Sequence, residues 1–248
     1  MLIIDFQMKY KYLIFVFVFA IILSGCDTRS YKILKQTEKR SKKQESLDAK
    51  QNDVIVKPLS SNDTAFVTHL ASIKTSMGTI VIGLFGEDAP ETVANFIGLT
   101  KMNYYNGILF HRVARHFLIQ AGDRNTLFQH KKSEWGMGGE SFYGGEIEDE
   151  LNMNTPSYRQ GYRKGVVAMA NKGPNTNSSQ FFICLEDAIK LERKYTIFGK
   201  VISGMNVVEA ISNVPVEKSD RGQYDGIPQK TVRIYSVEIK LIKSPKIK

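Results

Sequence analysis

The chain has 248 residues, 42% of them hydrophobic and 24% charged, with a formal net charge of +9. That is globular composition with room for one or two domains, and two cysteines, Cys26 and Cys184, exclude a disulfide framework. The positive charge is gathered into Arg29, Lys32, Lys35, Lys39, Arg40, Lys42 and Lys43 and the terminal Lys243, Lys246 and Lys248. No aromatic platform accompanies these lysines, so nucleic-acid binding is not expected.

In chain order, Lys9 and Lys11 precede an apolar run, Tyr12–Leu23, that is short for a membrane span and ends in Leu23-Ser24-Gly25-Cys26. Small residues before a cysteine resemble the bacterial lipoprotein signal. That resemblance implies cleavage after residue 25, lipid on Cys26, attachment to a membrane, and a place in a bacterial cell envelope facing the periplasm or the exterior. An uncleaved anchor or an ordinary secretory signal is the alternative, and Met8 is a second candidate start. Residues 26–66 are polar and lysine-rich, with no sustained hydrophobic period. They read as a disordered basic tether of roughly 35 Å root-mean-square span, with a possible short helix at Lys35–Lys50.

From residue 67 to 243 the pattern becomes that of a folded domain, followed by a basic tail, 244–248. Leu70, Ile73, Ile80, Ile82 and Leu84 alternate in two runs split by Ser76-Met77-Gly78, which predicts a tight hairpin. Asp88-Ala89-Pro90-Glu91 predicts a helix start capped by Asp88, with Val93, Phe96 and Ile97 on the buried face. Strands are predicted over Ile108–Val113, Phe117–Ala121, Gly165–Ala170, Gln180–Leu185, Thr196–Ile202 and Thr231–Ile242. A second helix is predicted over Met205–Ser212, with Val208 and Ile211 inward. Many short strands with two helices predict a mainly β domain, a closed antiparallel barrel with helices at its ends. Cys184, within QFFICL, reads as a small buried core residue.

Two stretches carry the chemistry. Phe110–Asp123 (FHRVARHFLIQAGD) supplies Arg112, Phe117, Leu118 and Gln120. Ala168–Leu185 (AMANKGPNTNSSQFFICL) supplies Ala170, Asn171, Gln180 and Phe182. One cation, two amides and several apolar groups suit an apolar ring joined to a peptide carbonyl, which describes a peptidyl-proline. With FGKV at Phe198–Val201, these stretches closely resemble the cyclophilin family of peptidyl-prolyl isomerases, over about Ser72 to Ile242. The resemblance implies an eight-stranded antiparallel barrel capped by two helices and an enzyme that needs no cofactor and no metal. It implies Arg112 as the donor to the imide nitrogen of a twisted X-Pro amide, with Gln120 orienting it. Phe117, Leu118, Phe182 and Leu191 are implied as the proline pocket. Asn171 and Gln180 would grip flanking peptide groups, Ala170 would let the chain pass, and Tyr195 stands where the family often has histidine. Lys190 stands where an aromatic associated with cyclosporin binding is common, so weakened cyclosporin binding is expected. The expected partners are proline-containing client polypeptides, and the expected state is a monomer.

Competing signals are weaker. His111 lies on the strand face opposite Arg112. Glu146, Glu148, Asp149 and Glu150 match an acidic loop of the family and are expected to be structural or solvated. Arg124–Met137, with the only tryptophan, Trp135, is longer than the family's usual loop and is expected to border the substrate groove, where it either tunes client choice or is an unselected insertion. A barrel holding proline peptides without turnover is the second functional reading.

Overall fold

The computed structural model describes residues 67–188 and 190–242. The signal run, Cys26, the tether with its possible helix at Lys35–Lys50, and the basic tail lie outside the described residues.

The hairpin forms where the alternation places it. Strands β1 (His69–Thr75) and β2 (Gly78–Leu84) pair antiparallel with Thr75 opposite Gly78. Gly78 has φ +131°, and a Cβ there would press into Val207, so both conformation and space require glycine.

Helix α1 (Pro90–Lys101) begins where Pro90 supplies a pre-set φ, but its cap differs from expectation. Ala89 is the N-cap residue, and no side chain within the segment caps it. Asp88 instead accepts from the Ser157 N–H at 2.8 Å. The free amides of α1 are taken by Glu150, whose two oxygens accept from Glu91 N at 3.0 Å and Thr92 N at 2.9 Å. A carboxylate from 58 residues downstream thus does what the local motif predicts of Asp88. The buried face is Val93, Phe96 and Leu99, with Ile97 at its margin.

The remaining elements are β3 (Arg112–Ala114), β4 (Leu118–Ala121), the short helix α2 (Pro156–Gln160), β5 (Val166–Met169), β6 (Phe181–Cys184), β7 (Ile197–Ser203), α3 (Met205–Ser212), β8 (Asp225–Gly226) and β9 (Ile234–Leu241). All pairings are antiparallel, in the order β8-β3-β4-β6-β5-β7-β2-β1-β9. This is a mainly β fold of the predicted kind: eight strands make the curled sheet, and the two-residue β8 is a ninth at its margin. The sheet curls until the residues ahead of β3 meet those leading into β9. Leu109 bridges Arg233, and Gly107 and Phe110 donate to the carbonyls of Ile234 and Val232 at 2.8 and 2.9 Å. The predicted strand Ile108–Val113 is therefore split between this bridge and the shorter β3.

Two apolar clusters form on the two faces of the sheet. Inside, Phe96 of α1 stacks against Tyr105, Phe181 and Phe198 with ring centroids 4.9, 5.8 and 5.5 Å apart. Each buried ring contributes about 2–3 kcal/mol by leaving water. Aliphatic side chains of β1, β2 and β5–β7 pack around these rings to fill the described interior. The second cluster lies outside the barrel wall around Leu118, Tyr162, Ala168, Phe182 and Cys184. Cys184 is buried, as predicted, and burial pushes its thiol up to about 12.

Candidate functional site

The strand register builds the site. Arg112 faces Gln120 across β3–β4, Gln120 faces Phe182 across β4–β6, and Phe182 faces Ala168 across β6–β5. Directly paired residues share a face, and the next residue along each strand points the other way. Hence Val113, Ile119, Ile183 and Val167 enter the interior cluster, while Arg112, Gln120 and Phe182 form a row on the outer face.

That row floors a groove of about 670 Å³. Of the sequence-predicted residues, Arg112, Leu118, Gln120 and Phe182 line it from the strands, Phe117 from the β3–β4 turn, and Ala170, Asn171, Leu191 and Tyr195 from the loops after β5 and β6. Phe117, Leu118, Ala170, Phe182, Leu191 and Tyr195 all belong to the outer apolar cluster, which makes one side of the groove greasy. The Tyr195 ring stands edge-on to Phe182, with centroids 5.5 Å apart at 89°. It is placed by Tyr162, whose hydroxyl donates to the Tyr195 carbonyl and accepts from its N–H, both at 2.9 Å. Burial, above all, raises the Tyr162 hydroxyl to about 12, so it stays protonated and keeps both bonds. Nothing in the local sequence marks Tyr162; only the folded loop brings it to Tyr195.

Two expected contacts are made differently. Gln120 is opposite Arg112 in register but its side chain donates to Gln180 Oε1 at 2.9 Å, and no hydrogen bond joins it to Arg112. Gln180 is absent from the groove lining. Its own amide donates to the backbone carbonyls of Gly136 (3.0 Å) and Gly138 (2.5 Å). It ties the sheet to the Arg124–Met137 loop rather than presenting free polar atoms. Arg112 is held by Asp225 of β8, with Nε donating to Oδ1 at 2.8 Å and Nη2 to Oδ2 at 2.7 Å. Sequence reasoning did not find Asp225, because the pair spans 113 residues.

At the far wall, Asn171 sends its side chain to the Lys194 carbonyl at 3.0 Å. Among the described residues, its backbone N–H and C=O make no hydrogen bond, so both are free for an extended peptide. In the acidic loop Asp149 and Glu150 are structural, whereas Glu146 and Glu148 are exposed to solvent. Asp149 accepts from Asn177 Nδ2 at 2.7 Å and Asn175 N at 2.8 Å, and Glu150 caps α1.

The longer loop does border the groove, through Lys132, Ser133, Trp135, Gly136 and Met137. It contains two 3₁₀ turns, Arg124–Leu127 and Gln129–Glu134. Both its ends fasten on the fully buried Asp123, which accepts from Asn125 N (2.8 Å), Gly136 N (2.5 Å) and Gly138 N (3.2 Å). Lys132 pairs with Glu217, joining the loop to the hairpin that carries Asp225.

A curled antiparallel barrel with a guanidinium beside an outer apolar niche, and free backbone groups opposite, defines a peptide-binding isomerase. Residues 70–239 match the family model described as cyclophilin type peptidyl-prolyl cis-trans isomerase/CLD. The chain belongs to that family and is a peptidyl-prolyl cis-trans isomerase. It is 43% identical over 149 residues to the peptidyl-prolyl cis-trans isomerase ppi1 of Schizosaccharomyces pombe, covering 60% of this chain and 88% of that one. It is 39% identical over 150 residues to the isomerase CYP18-2 of Arabidopsis thaliana, covering 60% and 84% respectively. A crystal structure of a cyclophilin type isomerase from Cryptosporidium parvum superposes with TM-score 0.60 at 32% identity, covering 73% of this chain and all of that one. A second structure of that protein was obtained in the presence of the dipeptide Ala-Pro (TM-score 0.58, 32% identity, 71% of this chain and 99% of that one).

Proposed function

We propose that this isomerase acts by holding the twisted X-Pro amide more tightly than either planar form, and that it serves proteins outside the cytoplasm. The amide barrier near 20 kcal/mol is loss of resonance as the C–N bond rotates. Nothing covalent need form or break. In the twisted state the imide nitrogen becomes pyramidal and gains a lone pair, so a donor aimed at it binds that state selectively. Arg112 is that donor, always charged and pre-oriented. Phe117, Leu118, Phe182 and Leu191 take the proline ring, with Tyr195 at its border. Ala170 leaves room for the chain, and the backbone of Asn171 takes a flanking peptide group. Gln120 and Gln180 work as an amide bridge that stiffens the floor.

The observation that carries this reading is a partly covered guanidinium, 23% exposed in its side chain, fixed on the rim of an apolar niche. The Ala-Pro dipeptide named with the related Cryptosporidium protein supports proline peptides as ligands. Proline-isomerisation rates of the full chain test it. Arg112→Ala should lower turnover about 100-fold, the loss typical of one aimed donor. Equally slow rates for the two proteins, with peptide still bound by both, would leave a peptide-holding module instead.

The Leu23-Ser24-Gly25-Cys26 run supports lipid attachment, and the polar 27–66 segment supports a role as a spacer between membrane and enzyme. Incorporation of labelled fatty acid, lost in Cys26→Ser, tests the anchor; incorporation that survives Cys26→Ser would refute it.

A further inference from the structure

An arginine carries five N–H donors on one planar group at the end of a flexible stem. To act on a lone pair that exists only in the transition state, the plane must be aimed before the substrate arrives. In this chain Gln120 does not aim it, since its amide is committed to Gln180.

Asp225 does. Its two oxygens take Nε and Nη2 side by side at 2.8 and 2.7 Å, which fixes the guanidinium plane. Three N–H groups, including both on Nη1, remain for the groove that Arg112 lines. The two side chains are 23% and 17% exposed, so water competes weakly for the pair. The carboxylate is itself held. Asp225 pairs with Ala114 of β3, its carbonyl accepts from the Ser219 hydroxyl, and Gly226 pairs with Val113. A Cβ on Gly226 would collide with the Glu217 carbonyl, so the hairpin closes only with glycine beside Asp225. Two further hydrogen bonds, Glu217 N to the Ile227 carbonyl and Gln229 N to the Pro215 carbonyl, pin the base of the hairpin at 2.8 and 2.9 Å.

We propose that Asp225 is a positioning residue for proline isomerisation, acting through Arg112. This rests on the reading of Arg112 as the donor to the imide nitrogen. A carboxylate on one edge of the guanidinium leaves the opposite edge as the only side from which a substrate nitrogen is approached. The hairpin 216–228 is thereby part of the catalytic machinery although it meets no reacting atom.

The test uses the full chain and an Ala-Pro-containing peptide, with exchange NMR to separate binding from turnover. Asp225→Ala should lower kcat at least tenfold while KM moves less than threefold, and should abolish the slow solvent exchange of the Arg112 Nε–H. Asp225→Glu, which keeps a two-oxygen acceptor, should restore more of the rate than Asp225→Asn. In an Arg112→Ala background, Asp225→Ala should change kcat less than twofold. Equal losses in both backgrounds would mean that Asp225 merely shapes the hairpin, and overturn the proposal. Should Asp225→Ala not fold, the near-isosteric Asp225→Asn decides the same questions. Loss of turnover in Arg112→Ala, with full turnover in Asp225→Ala and Asp225→Asn, would remove this proposal alone. Full turnover in Arg112→Ala would remove the underlying reading and this proposal together.

Discussion

His111 and Arg112 are neighbours in sequence with opposite fates. Arg112 keeps donors for the groove, whereas His111 is 4% exposed and neither ring nitrogen has a hydrogen-bond partner among the described residues. Burial, opposed by Asp123 and aided by Arg112, pushes the imidazole down to about 4. It is therefore neutral near pH 7, and the lowered pKa makes it a weak proton acceptor. An unfolded histidine titrates near 6.5. Between about 6.5 and 4 the unfolded chain takes up a proton that the folded chain refuses, so stability is full above 6.5 and falls as pH drops through that window. The loss should approach about 3 kcal/mol. Urea midpoints at pH 7 and pH 4.5 check this, and His111→Gln should flatten the difference. Turnover per folded molecule should stay level from pH 6 to 9, because Arg112 keeps its charge across that range. Strand alternation predicts opposite faces for His111 and Arg112, yet both border the groove, because His111 precedes β3 and its ring lies against Gly136 of the long loop. The partner of Arg112 was not readable, because nothing near either residue announces a contact across 113 positions.

At the scale of elements, caps and fasteners come from afar. The local motif predicts Asp88 as the cap of α1, yet Glu150 provides it, and Asp88 serves α2 through Ser157. The two carboxylates exchange roles because the 147–157 segment passes beside the start of α1. Glu150→Ala should cost about 1–2 kcal/mol, with helix α1 fraying first in hydrogen exchange. The Arg124–Met137 loop shows a related economy, since one buried carboxylate, Asp123, gathers three backbone amides from both of its ends. Asp123→Ala leaves those amides unpaired and should cost about 3 kcal/mol. Trp135, whose indole N–H is held by the Asn125 carbonyl at 3.1 Å, should report the loosening by a red shift in fluorescence. That this loop would border the groove was legible from the sequence. Its two 3₁₀ turns were not, for they are stabilised by Asp123 and by contacts to Leu109 and Glu217 rather than by any periodic pattern.

Across the described residues the apolar side chains divide between two sides of one sheet, and the division separates stability from function. Phe96 sits among Tyr105, Phe181 and Phe198, so Phe96→Ala should remove about 3–5 kcal/mol of stability with turnover of the surviving fold little changed. Leu191 is only half-buried, at the niche, and Leu191→Ala should lower kcat/KM about tenfold with a small change in melting temperature. Thermal melts run beside isomerisation assays separate the two. Strand type, hairpin and both longer helices were legible in the sequence alone, while the row Arg112–Gln120–Phe182 came only with the pairing of β3, β4 and β6. Period-two alternation, turn glycines and helix-start chemistry act over a few residues, so they are readable along the chain. Who holds Arg112, what caps α1, where Gln180 spends its amide and which tyrosine steadies Tyr195 were decided only in the tertiary structure. Each depends on one polar group meeting another brought close by the curl of the sheet, and a hydrogen bond between distant residues leaves no periodic trace along the chain.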